Sequence, residues 1–254
     1  MTEHAEYTDH HGPEGPAIRG TVVVVPGRGE TRETYTRLGR RLAADAYRVR
    51  VVDPVPLDAD DPAGSLARFG ARITEAVEGT AGPDGVARPV VLVGADTGAV
   101  AVAALLGGGG STAADAVVLA GFPARTAAPR DWDDELNART FCPAHRATLT
   151  GDSGFRRGAL DEAVPDALLT AAYGSGADVP ALILTGDADP LADRDALTRT
   201  AKSLPRARLS VVHDAHHDVL NDMQHRSVAA EIVTFLEALR NELVPLVTVE
   251  STAW

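Results

Sequence analysis

The chain has 254 residues, of which 44% are hydrophobic and 24% charged, a composition typical of a soluble globular protein with a sizeable core. Its net charge of −12 argues against nucleic acid or an anionic membrane as a partner. No apolar run approaches the roughly 20 residues that a membrane-spanning helix needs, so we expect no membrane insertion. Cys142 is the only cysteine, which excludes an internal disulfide and fits a reducing compartment.

The first 19 residues are polar and acidic, and we predict a flexible tail over residues 1–19. No basic stretch followed by an apolar core indicates a secretory signal, so we expect a cytoplasmic protein. This segment contains His4, His10 and His11, but no accompanying cysteine or carboxylate spacing, and we predict no metal site there. No nucleotide or flavin motif is visible in the rest of the chain, so we expect no cofactor.

Six short apolar runs predict strands over residues 21–25, 47–53, 89–94, 116–121, 181–186 and 208–214. Apolar residues at helical spacing predict helices over residues 31–45, 64–79, 97–106, 193–204 and 224–243. Apolar strands that alternate with helices are typical of parallel sheets covered on both faces. The sequence therefore predicts an α/β fold with a mostly parallel central sheet and helices on both faces.

The alternation is interrupted over residues 122–178, where helical segments follow one another without a strand. We predict that this insertion is a short helical lid over one end of the sheet. The core would then comprise residues 20–121 and 179–243, with a C-terminal tail over residues 244–254. The Gly-rich segment 107–115 is predicted to be a flexible surface loop.

One predicted strand runs into Gly-Ala-Asp-Thr-Gly at residues 94–98 and is followed by an Ala-rich helix. This is the context of a nucleophile elbow, in which glycines permit a strained turn and the helix start offers backbone donors to a developing anion. Asp96 occupies the position of the nucleophile. A simpler interpretation is that Asp96 only caps the helix.

Two later strands are also followed by polar residues that are suited to catalysis. The loop after residues 181–186 contains Asp187, Asp189 and Asp193. A carboxylate there could orient a histidine and stabilise its cation. The loop after the last strand contains the histidines that could act as a general base, His213, His216 and His217.

Along the chain, the elbow residue comes first, the acid second and the histidine third. Each lies at the carboxyl end of a successive predicted strand, which is where parallel sheets bind ligands. In this order the chain resembles the α/β-hydrolase fold family over about residues 20–243. The segments "GDAD" (186–189) and "HDVLN" (217–221) resemble the C-terminal half of lysophospholipases and monoacylglycerol lipases. The resemblance implies a triad in which Asp189 is the acid and His217 is the histidine.

The segment "VVVVPGRGE" (22–30) stands where that family carries its H-G-x-G oxyanion loop, with Pro26 in place of the histidine. The resemblance implies that the backbone N–H groups of Arg28 and Thr97 form an oxyanion hole. Among family members, an aspartate at the elbow resembles haloalkane dehalogenases, fluoroacetate dehalogenases and epoxide hydrolases.

The choice of aspartate has a chemical reason. A carboxylate that attacks an ester would form a reactive anhydride, whereas attack on a saturated carbon gives an ordinary alkyl ester that water can hydrolyse. Asp96 therefore predicts a small-molecule substrate with an epoxide or a carbon–halogen bond. The predicted lid supplies the candidate pocket residues, which are Trp132, His145, Arg146 and Tyr173.

Several alternatives stay open at this stage. Asp96 could be a base in a lyase, isomerase or cyclase, or the chain could be a binding module that has lost turnover. Asp96 could also replace the serine of an esterase, either naturally or by engineering. His145 and Arg146 could simply hold the lid together. The sequence leaves a homodimer open, and its composition, rich in Ala, Arg and Val, suggests a bacterial source of high GC content.

Overall fold

A computed structural model describes residues 7–54, 56–108, 113–124 and 129–252. Within these ranges one sheet has the strand order β1-β3-β2-β4-β5-β6-β7. Its strands are β1 (Tyr7–His10), β2 (Gly20–Val25), β3 (Tyr47–Val52), β4 (Val90–Ala95), β5 (Ala116–Ala120), β6 (Ala181–Gly186) and β7 (Ala207–Val212). All strand pairs from β3 to β7 are parallel, which confirms the predicted mostly parallel sheet.

Helices cover both faces of this sheet. They are α1 (Thr36–Ala44), α2 (Pro62–Glu78), α3 (Thr97–Gly107), α4 (Trp132–Arg139), α5 (Pro143–Gly151), α6 (Asp166–Tyr173), α7 (Arg194–Ser203) and α8 (His225–Leu239). Alternate side chains of β2 point to opposite faces, so Val23 and Val25 pack towards α2 and α3, whereas Val22 and Val24 pack towards α1 and α8. Among the described helices, none combines the length and apolar composition needed to cross a bilayer.

Strand β1 corrects the predicted flexible tail, because Tyr7–His10 pair antiparallel with β3. Arg50 of β3 forms two hydrogen bonds of 2.7 Å with the carboxylate of Asp9, and its guanidinium lies over the ring of Tyr7. These contacts join residues about 40 positions apart, and they offset the entropy cost of ordering a polar segment. His4 lies outside the described residues.

Helix α6 corrects the extent of the predicted lid. It packs along α3, and Leu168 and Ala172 are buried in the main core. The insertion at 122–178 therefore contains a core helix as well as α4, α5 and a 3₁₀ turn at Ala159–Asp161. That α4 and α5 act as a lid stays a prediction. Of the predicted flexible loop at 107–115, residues 109–112 lie outside the described part of the chain.

Candidate active site

Asp96 occupies the sharp turn between β4 and α3. Its φ of 47° and ψ of −118° form a conformation that costs a residue with a Cβ about 1–3 kcal/mol. Gly98 permits the close approach of this turn to β2, because a Cβ there would lie 2.4 Å from the carbonyl oxygen of Val25. Asp96 is the N-cap residue of α3, but its side chain makes no capping hydrogen bond with that helix.

The three predicted triad residues lie together. His217 follows β7, and its Nδ1 is 3.0 Å from Oδ2 of Asp189, while its Nε2 is 3.2 Å from Oδ1 of Asp96. Asp189 follows β6 and also accepts a hydrogen bond from the backbone N–H of Leu191. All three triad residues are buried. His217 therefore bridges the elbow carboxylate and a second carboxylate, as the predicted triad requires.

The Arg28 side chain is part of this site, although the sequence analysis considered only its backbone. The Arg28 N–H donates to Oδ2 of Asp96 at 2.8 Å, and the guanidinium adds Nε to Oδ2 and Nη2 to Oδ1, both at 2.8 Å. Its Nη1 donates to the carbonyl oxygens of Leu160 and Glu162. Among the described residues, the N–H of Thr97 makes no hydrogen bond with Asp96. Arg28 thus connects the elbow carboxylate to the segment that follows α5.

The charges of the site balance. Burial would raise the pKa of Asp96, but Arg28 and His217 outweigh burial and hold that pKa well below its usual range. Burial would lower the pKa of His217, but Asp189 and then Asp96 raise it to about 10. At neutral pH the site therefore contains two carboxylates, one guanidinium and one imidazolium, with a formal charge of zero.

The space beside the triad is small. A cavity of about 10 Å³ is lined by Asp96 and His217 together with Glu30 and Tyr35, and it has room for about one water molecule. An organic substrate therefore requires side chains around Asp96 to move. A larger cavity of about 230 Å³ lies between β3 and α2 and contains no triad residue.

A second group of buried charged side chains adjoins the triad, and we refer to it as the acidic cluster: Glu30, Glu135, Arg139, His145 and Asp218. Arg139 donates from Nε and Nη2 to Oε1 of Glu135 at 3.1 and 3.0 Å. His145 Nε2 lies 2.8 Å from Oδ2 of Asp218. Burial, and then the charge of Asp218, raise the pKa of Glu30 to about 7.

The four candidate pocket residues do not line the triad cavity. Trp132 packs against Phe155, and its contact with substrate stays a prediction. Arg146 donates from Nη1 to residues 137 and 140 and holds α4 and α5 together. Tyr173 donates to the carbonyl oxygen of residue 123, and His145 belongs to the acidic cluster.

Three residues that line or close the site were missed, namely the side chain of Arg28 and the residues Glu30 and Tyr35. A physical argument could have identified Arg28, because a buried aspartate in place of serine needs a counter-ion nearby. Glu30 lies in the predicted oxyanion loop. The sequence does not indicate that the Tyr35 hydroxyl donates a hydrogen bond to the Glu30 carboxylate.

Comparisons with solved structures identify the fold. A soluble variant of monoglyceride lipase from Saccharomyces cerevisiae, in complex with a substrate analog, matches with a TM-score of 0.71 at 14% identity, covering 92% of this chain and 91% of that one. The monoacylglycerol lipase of Paleococcus ferrophilus matches with a TM-score of 0.70 at 15% identity, covering 92% and 98%. A lipase-esterase related protein from Clostridium acetobutylicum matches with a TM-score of 0.63 at 15% identity, covering 91% and 100%.

No family model and no curated protein matches the sequence. The structural matches confirm the resemblance at the level of the fold, so this chain has the α/β-hydrolase fold. Since one fold hosts many activities, its chemistry has to be argued from the site itself.

Proposed function

We propose that this protein is a hydrolase in which Asp96 attacks a saturated carbon that carries an oxygen leaving group, as in an epoxide. One observation carries the proposal. His217 lies with Nε2 at 3.2 Å from Oδ1 of Asp96 and with Nδ1 at 3.0 Å from Asp189. The same imidazole can therefore exchange protons with whatever reacts at Oδ1.

The two oxygens of Asp96 have different surroundings, which supports different roles. Oδ2 accepts from the backbone N–H and Nε of Arg28, whereas Oδ1 faces His217 and receives Nη2 of Arg28. We assign Oδ1 as the attacking oxygen. The hydrogen bond from Nη2 of Arg28 to Oδ1 must break when substrate enters. Oδ2 would then carry the negative charge of the later tetrahedral intermediate, next to an N–H that already contacts it.

The charge of His217 favours an oxygen leaving group. In the first step, a bond forms between Oδ1 and the epoxide carbon, the ring C–O bond breaks, and the alkoxide takes the proton from Nε2 of His217. His217 supplies this proton because Tyr173, the one tyrosine of the predicted lid sequence, donates instead to the carbonyl oxygen of residue 123. A halide leaving group needs no proton, and it would leave His217 protonated and unable to act as a base.

The second step hydrolyses the ester. Alkylation removes the charge of Asp96, which lowers the pKa of His217 and leaves a neutral imidazole that can accept a proton from water. The water oxygen attacks Cγ of Asp96, and the bond between Cγ and Oδ1 breaks as the diol leaves with the proton of the new carboxyl group. Asp96 and the His217 cation are thereby restored.

The other functions fit the site less well, with one exception. The low pKa of Asp96 makes it a weak base, which disfavours a lyase or isomerase that relies on Asp96 as proton acceptor. A serine at this position would leave the buried Arg28 guanidinium without its carboxylate, which favours an aspartate matched to Arg28. The second candidate is a binding protein without turnover, favoured by the four hydrogen bonds on Asp96 and the small cavity.

The test is a single turnover in H₂¹⁸O with a panel of epoxides, analysed by mass spectrometry of protein and product. We expect ¹⁸O in the peptide that contains Asp96 and none in the diol. His213→Gln, which changes an exposed histidine of the same loop, should give the same labelling. Label in the diol with unlabelled Asp96 would contradict the nucleophile role. Failure to convert any epoxide would favour the binding protein.

A further inference from the structure

We propose that the acidic cluster binds one divalent metal ion through Glu30, His145 and Asp218. One ligating atom of each residue lies within 4.8 Å of the others, and all three residues are buried. Two carboxylates and one imidazole form a ligand set suited to first-row transition metals such as Zn²⁺, Mn²⁺ or Fe²⁺. The site adjoins the triad but shares no residue with it, and the proposal does not depend on the proposed reaction.

The charges of the described residues support a cation at this place. In the triad, Arg28 pairs with Asp96 and the His217 cation pairs with Asp189. In the acidic cluster, the single guanidinium of Arg139 is bound through two nitrogens to Glu135.

The other two carboxylates of the cluster, Glu30 and Asp218, lack a bidentate cation, and Asp218 has His145 Nε2 at 2.8 Å from its Oδ2. Arg139 approaches Asp218 through one nitrogen only, at 3.4 Å, and forms no ion pair with Glu30 within the described residues. Buried carboxylates without a counter-charge are costly, and a divalent ion would bring the cluster to neutrality.

Glu30 has an oxygen free for coordination. Its Oε2 accepts hydrogen bonds from the N–H of Gly27 and from the hydroxyl of Tyr35. Its Oε1 accepts none from the described part of the chain, although Glu30 is only 4% exposed. Glu30 and Asp218, but not His145, also line the neighbouring cavity, which has room for about one water molecule.

The three ligands come from three separate segments. Glu30 belongs to the loop after β2, His145 to α5, and Asp218 to the loop that carries His217. A bound ion would therefore link α5 to the two loops that position the triad. The contact between His145 and Asp218 already joins two of these segments.

The experiment uses the full chain, stripped with a chelator and then dialysed against Zn²⁺ or Mn²⁺. We expect one equivalent of metal per chain by elemental analysis, and a higher thermal midpoint with metal than without. His145→Gln should weaken binding by more than about 100-fold, because it removes a direct ligand rather than an outer-shell partner. His213→Gln is the matched control and should keep the metal.

Three outcomes would overturn the proposal. In the first, the wild-type protein binds no metal and its thermal midpoint does not shift. In the second, the His145→Gln variant folds and binds metal as tightly as the wild type. In the third, the double variant His10→Gln/His11→Gln loses metal binding. If His145→Gln does not fold by circular dichroism, Asp218→Asn replaces it with the same expectation. The midpoint shift of the wild type tests binding without any variant.

Discussion

The triad with Arg28 and the acidic cluster are two adjacent buried groups that differ in charge balance. In the triad, two carboxylates face two cations, and every charge has a partner within 3.2 Å. In the acidic cluster, three carboxylates share the guanidinium of Arg139, with His145 as a further titratable group. Both groups are buried, but because their charges are paired differently, the pKa values of their carboxylates differ.

This difference explains the opposite pKa directions of two neighbouring carboxylates. Asp96 has a bidentate partner, and its pKa lies well below the usual range in spite of burial. Burial and the charge of Asp218 dominate at Glu30 and raise its pKa to about 7. Burial disfavours both charges, and the charged form is favoured only where a counter-charge outweighs burial. We expect changes at the triad to be costly and changes at the acidic cluster to be tolerated.

The largest effect is expected for Arg28→Met, which leaves the carboxylate of Asp96 buried without its main counter-ion. The free energy of unfolding should fall by about 3–5 kcal/mol, measured by chemical denaturation. The double variant Arg28→Met/Asp96→Leu should recover part of this loss, because it removes the orphaned charge. Arg68→Met is the control, since Arg68 forms an exposed ion pair with Asp61, and should cost less than about 1 kcal/mol. Equal effects of the two single variants would refute the comparison.

Two conservative substitutions should change the free energy of unfolding by a smaller amount and in different directions, measured on metal-free protein at pH 8. Asp96→Asn should lower the free energy of unfolding by about 2–3 kcal/mol, because Arg28 and His217 lose a charged partner. Glu30→Gln should be neutral or stabilising by about 1 kcal/mol, because it removes a charge that burial disfavours. The comparison fails if Glu30→Gln is as destabilising as Asp96→Asn.

The smallest effect is a pH dependence of stability that arises from His217. Its pKa is about 10 in the folded protein and about 6.5 when unfolded, so its contribution is fully present below pH 6.5 and is lost as pH rises through 10. Between pH 7 and 9 we expect the free energy of unfolding to fall by about 1 kcal/mol per pH unit. Denaturation curves of His217→Gln should lack this slope, and a stability that rises over this range would contradict the assignment.

Much of the active site could be predicted from sequence because its parts are local. The apolar strands, the glycines around Asp96 and the polar loops that contain Asp189 and His217 are each visible in a few consecutive residues. Parallel strands place their carboxyl ends at one edge, so the order of these segments was sufficient to bring the triad together.

The rest depended on contacts between residues far apart in sequence. The pairing of β1 with β3, the packing of α6 on α3 and the contact of Arg28 with the chain at Leu160 all join distant segments. The sequence by itself determined strands β2 to β7, the elbow and the order of the triad residues, since these follow from local patterns. Only the tertiary structure decided which buried charges have partners, because the nearest counter-charge is set by packing and not by position along the chain.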